Sequence, residues 1–224
     1  HPRREMNDDA EWDWVQRHAT GGYAHLLLVD TLPMLMSPAF HYAEGWNEAV
    51  AGGAWGGRLA KIGEKLRRAF DMEHWAAFQF SFRRIAELIR AVAAGERGEP
   101  PATVLMLGGD IHHAYLAAAD VPGAKSQVWQ AVCSPFRNPL DRHERVMAQI
   151  GASKPAERAA RWIAHRAGVQ DPPFTWKLVQ KPTFDNQFAT IELKGRRARM
   201  KIEKTVPGDW RNPRIDVTLE RELA

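Results

Sequence analysis

The chain has 224 residues, with 31 lysines and arginines against 27 aspartates and glutamates, which gives a formal net charge of +4. Its hydrophobic fraction of 45% and charged fraction of 26% exclude a disordered or collagen-like chain. A single cysteine excludes an internal disulfide framework and a cysteine zinc site. The apolar run at 26–29 is too short to cross a bilayer. The small positive charge is a poor argument for nucleic acid as a partner, so we do not expect one.

The first third of the chain predicts a helix, a strand and a long loop. Asp8 and Asp9 are typical of a helix start, because acidic residues cap the positive end of the helix dipole. The continuous apolar run at 25–29 predicts a strand that is buried on both faces. The stretch 33–57 predicts a long loop with one short helix at 44–50, and long loops in compact domains are often functional.

The middle of the chain alternates between helical and strand patterns. Apolar residues recur at steps of three and four over 58–70 and 78–92, which predicts two amphipathic helices. The run at 103–107 predicts a second buried strand. A proline at 155 is compatible with the first turn of a helix. Further strands are expected at 115–119 and 127–133, and further helices at 142–150 and 155–167.

From residue 174 onward the hydrophobic period changes to two, which predicts an antiparallel meander with one solvated face. Buried strands that carry helices, followed by this meander, indicate a layered α/β fold. We expect one domain over 1–224, with an α/β part at 1–170 and an antiparallel β portion at 171–224.

The segment with the clearest chemistry is Gly-Gly-Asp-Ile-His-His at 108–113, directly after a buried strand. Ligands usually bind at the carboxyl ends of strands in α/β sheets, and glycines allow the backbone to approach a ligand closely. Asp110 and His112 offer the oxygen and nitrogen ligands that hard divalent or trivalent ions accept. The competing interpretation is a turn in which Asp110 caps backbone amides and the histidines are structural.

Several segments together resemble the C-terminal part of a PhoD-like alkaline phosphatase, a branch of the calcineurin-like metallophosphoesterases. The main one is 104–115, which is similar to the family's strand and Gly-Asp-Val-His segment. The segments that match in family order are 32–35, 44–49, 71–78, 104–115 and 184–187.

The resemblance implies the C-terminal part of a layered α/β/β/α sandwich and a phosphomonoester or phosphodiester hydrolase. It implies a centre of two metal ions (Fe, Ca, Mn or Zn), with Asp110 and His112 as ligands and a metal-bound hydroxide as the attacking group. Asp110, His112 and His113 would be the catalytic residues, with His113 either supporting a ligand or donating to a phosphate oxygen. The family's N-terminal metal motifs are absent ahead of Asp110, and the chain begins at His1. We therefore expect a missing N-terminal half of the same protein as a partner.

His41 and Trp75 are candidates for contacts with a phosphoester substrate. His41 lies in the predicted long loop between two aromatic residues, where a structural role is the alternative. Trp75 begins a helix whose other face is apolar, so packing is an equal alternative. For the chain as a whole, the alternative to a hydrolase is a non-catalytic C-terminal lobe that binds or positions a partner.

Overall fold

The computed structural model describes residues 5–134, 136–137, 140–206, 208 and 211–224. Within these ranges the chain forms six α-helices and eight strands, which confirms the predicted mixed α/β class. The helices are α1 (Asp9–His18), α2 (Pro38–Ala51), α3 (Gly57–Ala69), α4 (Gln79–Ala94), α5 (Arg142–Gly151) and α6 (Lys154–Arg166), with a 3₁₀ turn at Trp75–Ala77. The strands are β1 (His25–Val29), β2 (Thr103–Gly108), β3 (Tyr115–Asp120), β4 (Gln127–Val132), β5 (Thr175–Leu178), β6 (Gln187–Lys194), β7 (Arg197–Val206) and β8 (Arg214–Glu222).

The larger sheet has five strands in the order β1-β2-β4-β3-β5. β1, β2 and β4 run parallel to one another, whereas β3 is antiparallel to both β4 and β5. β5 belongs to this sheet, so the antiparallel portion expected at 171–224 is divided between two sheets.

The smaller sheet is the predicted meander, with β6, β7 and β8 paired antiparallel in that order. One face of it packs on the larger sheet, and side chains such as Leu105, Trp129, Met200 and Ile202 form the core between them. The indole Nε1–H of Trp129 donates to the carbonyl oxygen of Leu223 at 3.0 Å, which ties the last strand to the larger sheet. The alternation of period two therefore buries alternate residues of β7 against the larger sheet.

The opposite face of the larger sheet is covered by α1 and α4. Phe82, Ile89 and Val92 of α4 are fully buried, and they belong to the same core as Val104 and Met106 of β2. The described residues thus form a helix layer, a mixed sheet and an antiparallel sheet. None of the helices in the described ranges combines the length and the apolar character that crossing a membrane requires.

The expectation that β1 is buried on both faces is wrong, because the face that carries Leu27 and Val29 is exposed; β1 is also an edge strand. Leu27 and Val29 are 39% and 75% exposed, and no strand in the described part of the chain pairs with the outer edge of β1. The N–H of Asp30 donates to the carbonyl of Leu107 in β2. At the other end of the strand, the carbonyl of Ala24 accepts from the N–H of Ala102. The backbone N–H and C=O groups of the even-numbered residues therefore point toward β2. Those of residues 25, 27 and 29 point outward.

The predicted loop at 33–57 is also corrected, since α2 begins at Pro38 and has 14 residues. Proline is compatible with the first helical position because its missing N–H would have no helical partner there. His41 consequently lies on a helix and not in a loop. α3 and α6 both pack on α2, and its buried residues include Tyr42 and Asn47.

The side chain of His41 has no exposed surface. Its ring lies 4.5 Å from the ring of Phe82 and 5.0 Å from that of Trp176, measured between centroids, and neither ring nitrogen has a hydrogen-bond partner. Burial, helped by the nearby charge of Arg83, lowers the pKa of His41 to about 3. The imidazole is therefore neutral at neutral pH.

We expect this histidine to make the fold acid-sensitive. Its pKa rises from about 3 in the folded chain to the ordinary value of 6.5 on unfolding, so the unfolded state binds a proton first as the pH falls. Stability is lost between pH 6.5 and 3, by up to about 1.4 kcal/mol per pH unit. His41→Phe should flatten the pH dependence of the unfolding free energy in that window.

Urea denaturation at several pH values measures this effect. His143→Phe is the matched control, because it removes an exposed histidine instead of a buried one. An equally steep loss of stability in the His41→Phe variant would contradict the assignment.

Candidate functional site at the strand ends

The carboxyl ends of β1 and β2 meet at one edge of the larger sheet. The N–H of Asp30 donates to Leu107 at 3.1 Å, and the N–H of Gly109 donates to Thr31 at 2.9 Å. These bonds continue the β1–β2 ladder beyond both strands. Asp30 and Asp110 therefore leave the sheet at the same edge, where ligands bind in parallel sheets.

The turn after β2 has an unusual backbone. Asp110 and His112 have φ angles of +64° and +57°, in the left-handed region that favours glycine. Ile111 lies between them and its N–H donates to the carbonyl of Gly109 at 2.8 Å, which closes the turn. Residues held in this region cost free energy and are concentrated at functional sites.

Gly108 of this turn has a packing role. Gly108 and Gly109 do not have positive φ angles. A Cβ on Gly108 would lie 3.0 Å from the Cα of Pro33 and 3.1 Å from its nitrogen, whereas a Cβ on Gly109 would meet only ordinary contacts. Gly108 is therefore needed for the close approach of the Pro33 backbone, and this packing does not involve a ligand.

His113 is buried beneath the turn and has a defined tautomer. Its Nδ1 lies 2.8 Å from the carbonyl oxygen of Ile111, which can only accept, so Nδ1 carries the hydrogen. Burial is the main cause that lowers the pKa of His113 to about 4, and the ring packs against Tyr115 and Phe184. The neutral ring therefore has its lone pair on Nε2.

A buried pair of ionisable side chains lies near this turn. Nδ1 of His74 is 2.6 Å from Oε1 of Glu44, and the second carboxylate oxygen of Glu44 has no hydrogen-bond partner. Burial alone would lower the pKa of His74, but the hydrogen bond and charge of Glu44 outweigh it, and Asp110 adds to the rise. The net effect is a raised pKa of His74, to which the negative charge of Asp110 contributes.

Trp75 links the helical segment to the strand ends. Its indole Nε1–H donates to Oδ2 of Asp30 at 3.0 Å, and its side chain is 6% exposed. The expected alternatives for Trp75 were a substrate contact or packing; the structure shows packing together with this hydrogen bond. Asp30 is thus held in place at the end of β1.

Sequence reasoning did not connect Asp30, Glu44 and His74 with the turn that carries Asp110 and His112. Asp30 has no histidine two residues later, so it does not form an Asp-x-His motif. Glu44 and His74 are 30 positions apart, so no short sequence motif contains both. The one available signal is that Glu44 and His74 both lie in segments that carry the family resemblance.

The remaining candidates lie in different surroundings. His41 is fully buried among aromatic rings, whereas Asp110 is exposed and His112 is partly exposed. Burial raises the pKa of Cys133 to about 11, so it is a thiol and not a thiolate. Asp185 forms ion pairs with Arg145 and Lys204.

The donor atoms suit a metal ion in kind but not in number. Carboxylate oxygen and imidazole nitrogen are common metal ligands. However, across the residues whose placement is described, no three His, Cys, Asp or Glu side chains are grouped so that they could hold a metal ion. The turn on its own therefore offers the two ligands predicted from the sequence, Asp110 and His112.

Gly108→Ala should lower the free energy of unfolding by about 1–3 kcal/mol, because the new Cβ would push against the backbone of Pro33. Gly57→Ala is the matched control, since its Cβ would meet nothing within 4 Å. Urea denaturation of both variants tests this, and equal stabilities would contradict it.

Glu44→Gln should lower the pKa of His74. The substitution removes the negative charge that raises this pKa and leaves burial, which lowers it. Titration of the His74 ring signals by NMR measures the change, with His143 in the same sample as an internal reference. A pKa that is the same in both proteins would show that Glu44 does not control this histidine.

A comparison of the chain with known protein families, with curated proteins and with solved structures finds no match. The geometry of the strand ends is therefore the basis on which a function can be proposed.

Proposed function

We propose that this chain contributes part of the active site of a metal-dependent phosphoester hydrolase. The observation that carries the proposal is the turn after β2, where Asp110 and His112 are both held at positive φ beside Asp30. Such a backbone is costly in a residue other than glycine, and a turn at parallel strand ends is where a ligand would use it.

In this proposal Asp110 and His112 are metal ligands. An oxygen and a nitrogen donor favour Fe, Mn or Zn over Ca, which prefers oxygen ligands alone. Metal ions held by these two residues would polarise the phosphate group of the substrate and activate a water molecule. The chain's own contribution is to fix the two donors at the sheet edge and to hold Asp30 in place through Trp75.

His113 is a positioning residue in this scheme. Because its Nδ1 donates to the carbonyl of Ile111, the ring ties down the backbone between the two ligands. Its neutral Nε2 has no hydrogen to give to a phosphate oxygen. Of the two roles that the resemblance implies, support of a ligand is therefore the one we propose.

The remaining ligands would come from another segment, which we propose is a further part of the same protein. Catalytic metal sites usually take three or more protein ligands, and the turn offers two. A strand that paired in parallel with β1 would end beside Asp30, and β1 presents outward backbone groups and the exposed side chains of Leu27 and Val29. An apolar groove of ≈ 390 Å³ runs between α1 and β1 along this edge.

A second candidate function is a lobe without activity that only binds or positions a partner. The observation in its favour is that no group of three metal-binding side chains occurs in the described ranges. The open edge of β1 is compatible with both candidates. Bound metal and catalysis distinguish them.

Asp110→Asn and His112→Asn should each lower the hydrolysis of nitrophenyl phosphate by the intact protein by about 100-fold or more, and lower its metal content. Asparagine is chosen because it tolerates positive φ, so the variant loses the ligand but keeps the turn. Asp216→Asn and His143→Asn are matched controls at exposed positions, and their activity should be that of the parent.

Turnover measured with metal analysis of the same samples decides between the two candidates. Loss of both activity and metal in the two turn variants supports the hydrolase. Unchanged turnover in both variants would refute the assigned ligands, and an intact protein with neither metal nor activity would support the inactive lobe.

A further inference from the structure

Helix α3 concentrates positive charge to an unusual degree. Within Gly57–Ala69 there are five basic residues and one acidic residue, Glu64, and this surplus of four equals the formal net charge of the whole chain. Glu64 pairs with Arg67 and Arg68. The exposed basic residues at Arg58, Lys61, Lys65 and Arg68 recur at steps of three and four, so they form one strip along the helix.

A second strip beside the basic one is apolar and open to solvent. Leu59, Ile62 and Phe70 are 41%, 52% and 68% exposed, and Leu66 is partly buried. Each of the first two follows a basic residue directly, so the strips lie about 100° apart around the helix axis. Within the described part of the chain these three side chains therefore remain partly open to solvent.

The helix contacts α2 through a side that borders the apolar strip and lies opposite the basic strip. Gly63 is its one buried residue, and a Cβ there would lie 3.0 Å from the backbone nitrogen of Ala51 in α2. Gly63 is four residues after Leu59 and seven before Phe70, so the contact with α2 borders the apolar strip and the basic strip is directed away from it. The exposed parts of Leu59, Ile62 and Phe70 remain open to solvent beside this contact.

We propose that α3 docks the protein on a membrane surface that contains anionic phospholipids. A helix with low mean hydropathy, a basic strip and an apolar strip lies in the interface, with its apolar side chains in the headgroup region and its cations at the phosphates. The attraction is about 1 kcal/mol for each Lys or Arg near an anionic surface. This docking does not depend on the proposed hydrolase activity.

Other occupants fit the two strips less well. A second copy of the chain that packed on the apolar strip would bring two basic strips close together, and like charges repel. A nucleic acid would pair with the cations but would leave Leu59 and Ile62 exposed to water. An anionic lipid surface is complementary to both strips at once.

The test is co-sedimentation of the intact protein with vesicles of phosphatidylcholine, alone or mixed with phosphatidylserine. The protein should bind the mixed vesicles, less so at high salt, and should not bind phosphatidylcholine alone. Lys61→Gln combined with Lys65→Gln should lower the partition constant about 30-fold. Ile62→Ser combined with Phe70→Ser should also abolish binding; all four positions are exposed, so both variants should fold.

Lys125→Gln combined with Lys194→Gln is the control for charge, since it removes two exposed lysines elsewhere, and it should bind like the parent. Failure of the parent to bind the mixed vesicles would overturn the proposal. So would undiminished binding by the Ile62→Ser/Phe70→Ser variant. A parent that is dimeric and does not bind vesicles, with a monomeric serine variant, would overturn it and identify a second copy as the occupant.

Discussion

Parallel, in-register pairing of β1, β2 and β4 is the constraint on which the candidate site depends. Because His25 pairs with Thr103 and the register holds without a bulge to Val29 and Leu107, the two strands end at the same level. β4 pairs with β2 over the same span. A parallel ladder directs all carboxyl ends to one edge, so the residues that follow each strand meet there even though they are far apart in sequence. A shift of one residue in β1 would direct its side chains to the opposite faces and move Asp30 away from the turn.

The sequence predicts the parts of this arrangement that follow from local patterns. The apolar run at 103–107, the helical period over 78–92 and the period of two after residue 174 match β2, α4 and the β6–β8 meander. These patterns work because each element buries a face that the chain itself covers. β1 has an equally apolar sequence but lies at a sheet edge, and composition alone does not distinguish a central strand from an edge strand.

The limits of prediction at the site have a similar cause. Asp110, His112 and His113 are adjacent in sequence, so the motif itself draws attention to them. Glu44, His74 and Asp30 come from a helix, a connecting segment and another strand, and only tertiary packing brings Glu44 to 2.6 Å from His74. The loop expected around His41 fails for a different reason: Pro33 and Pro38 both interrupt a strand, but Pro38 is also a good first residue of a helix.

The positive φ angles of Asp110 and His112 also restrict how this turn can evolve. At such positions glycine, asparagine, aspartate and histidine are tolerated far better than branched or bulky residues. Single substitutions that keep the backbone therefore exchange one small polar side chain for another, or remove the side chain altogether. Glycine apart, the residues that this backbone tolerates best carry an oxygen or nitrogen donor, so the backbone conformation itself narrows the side-chain chemistry open to the turn.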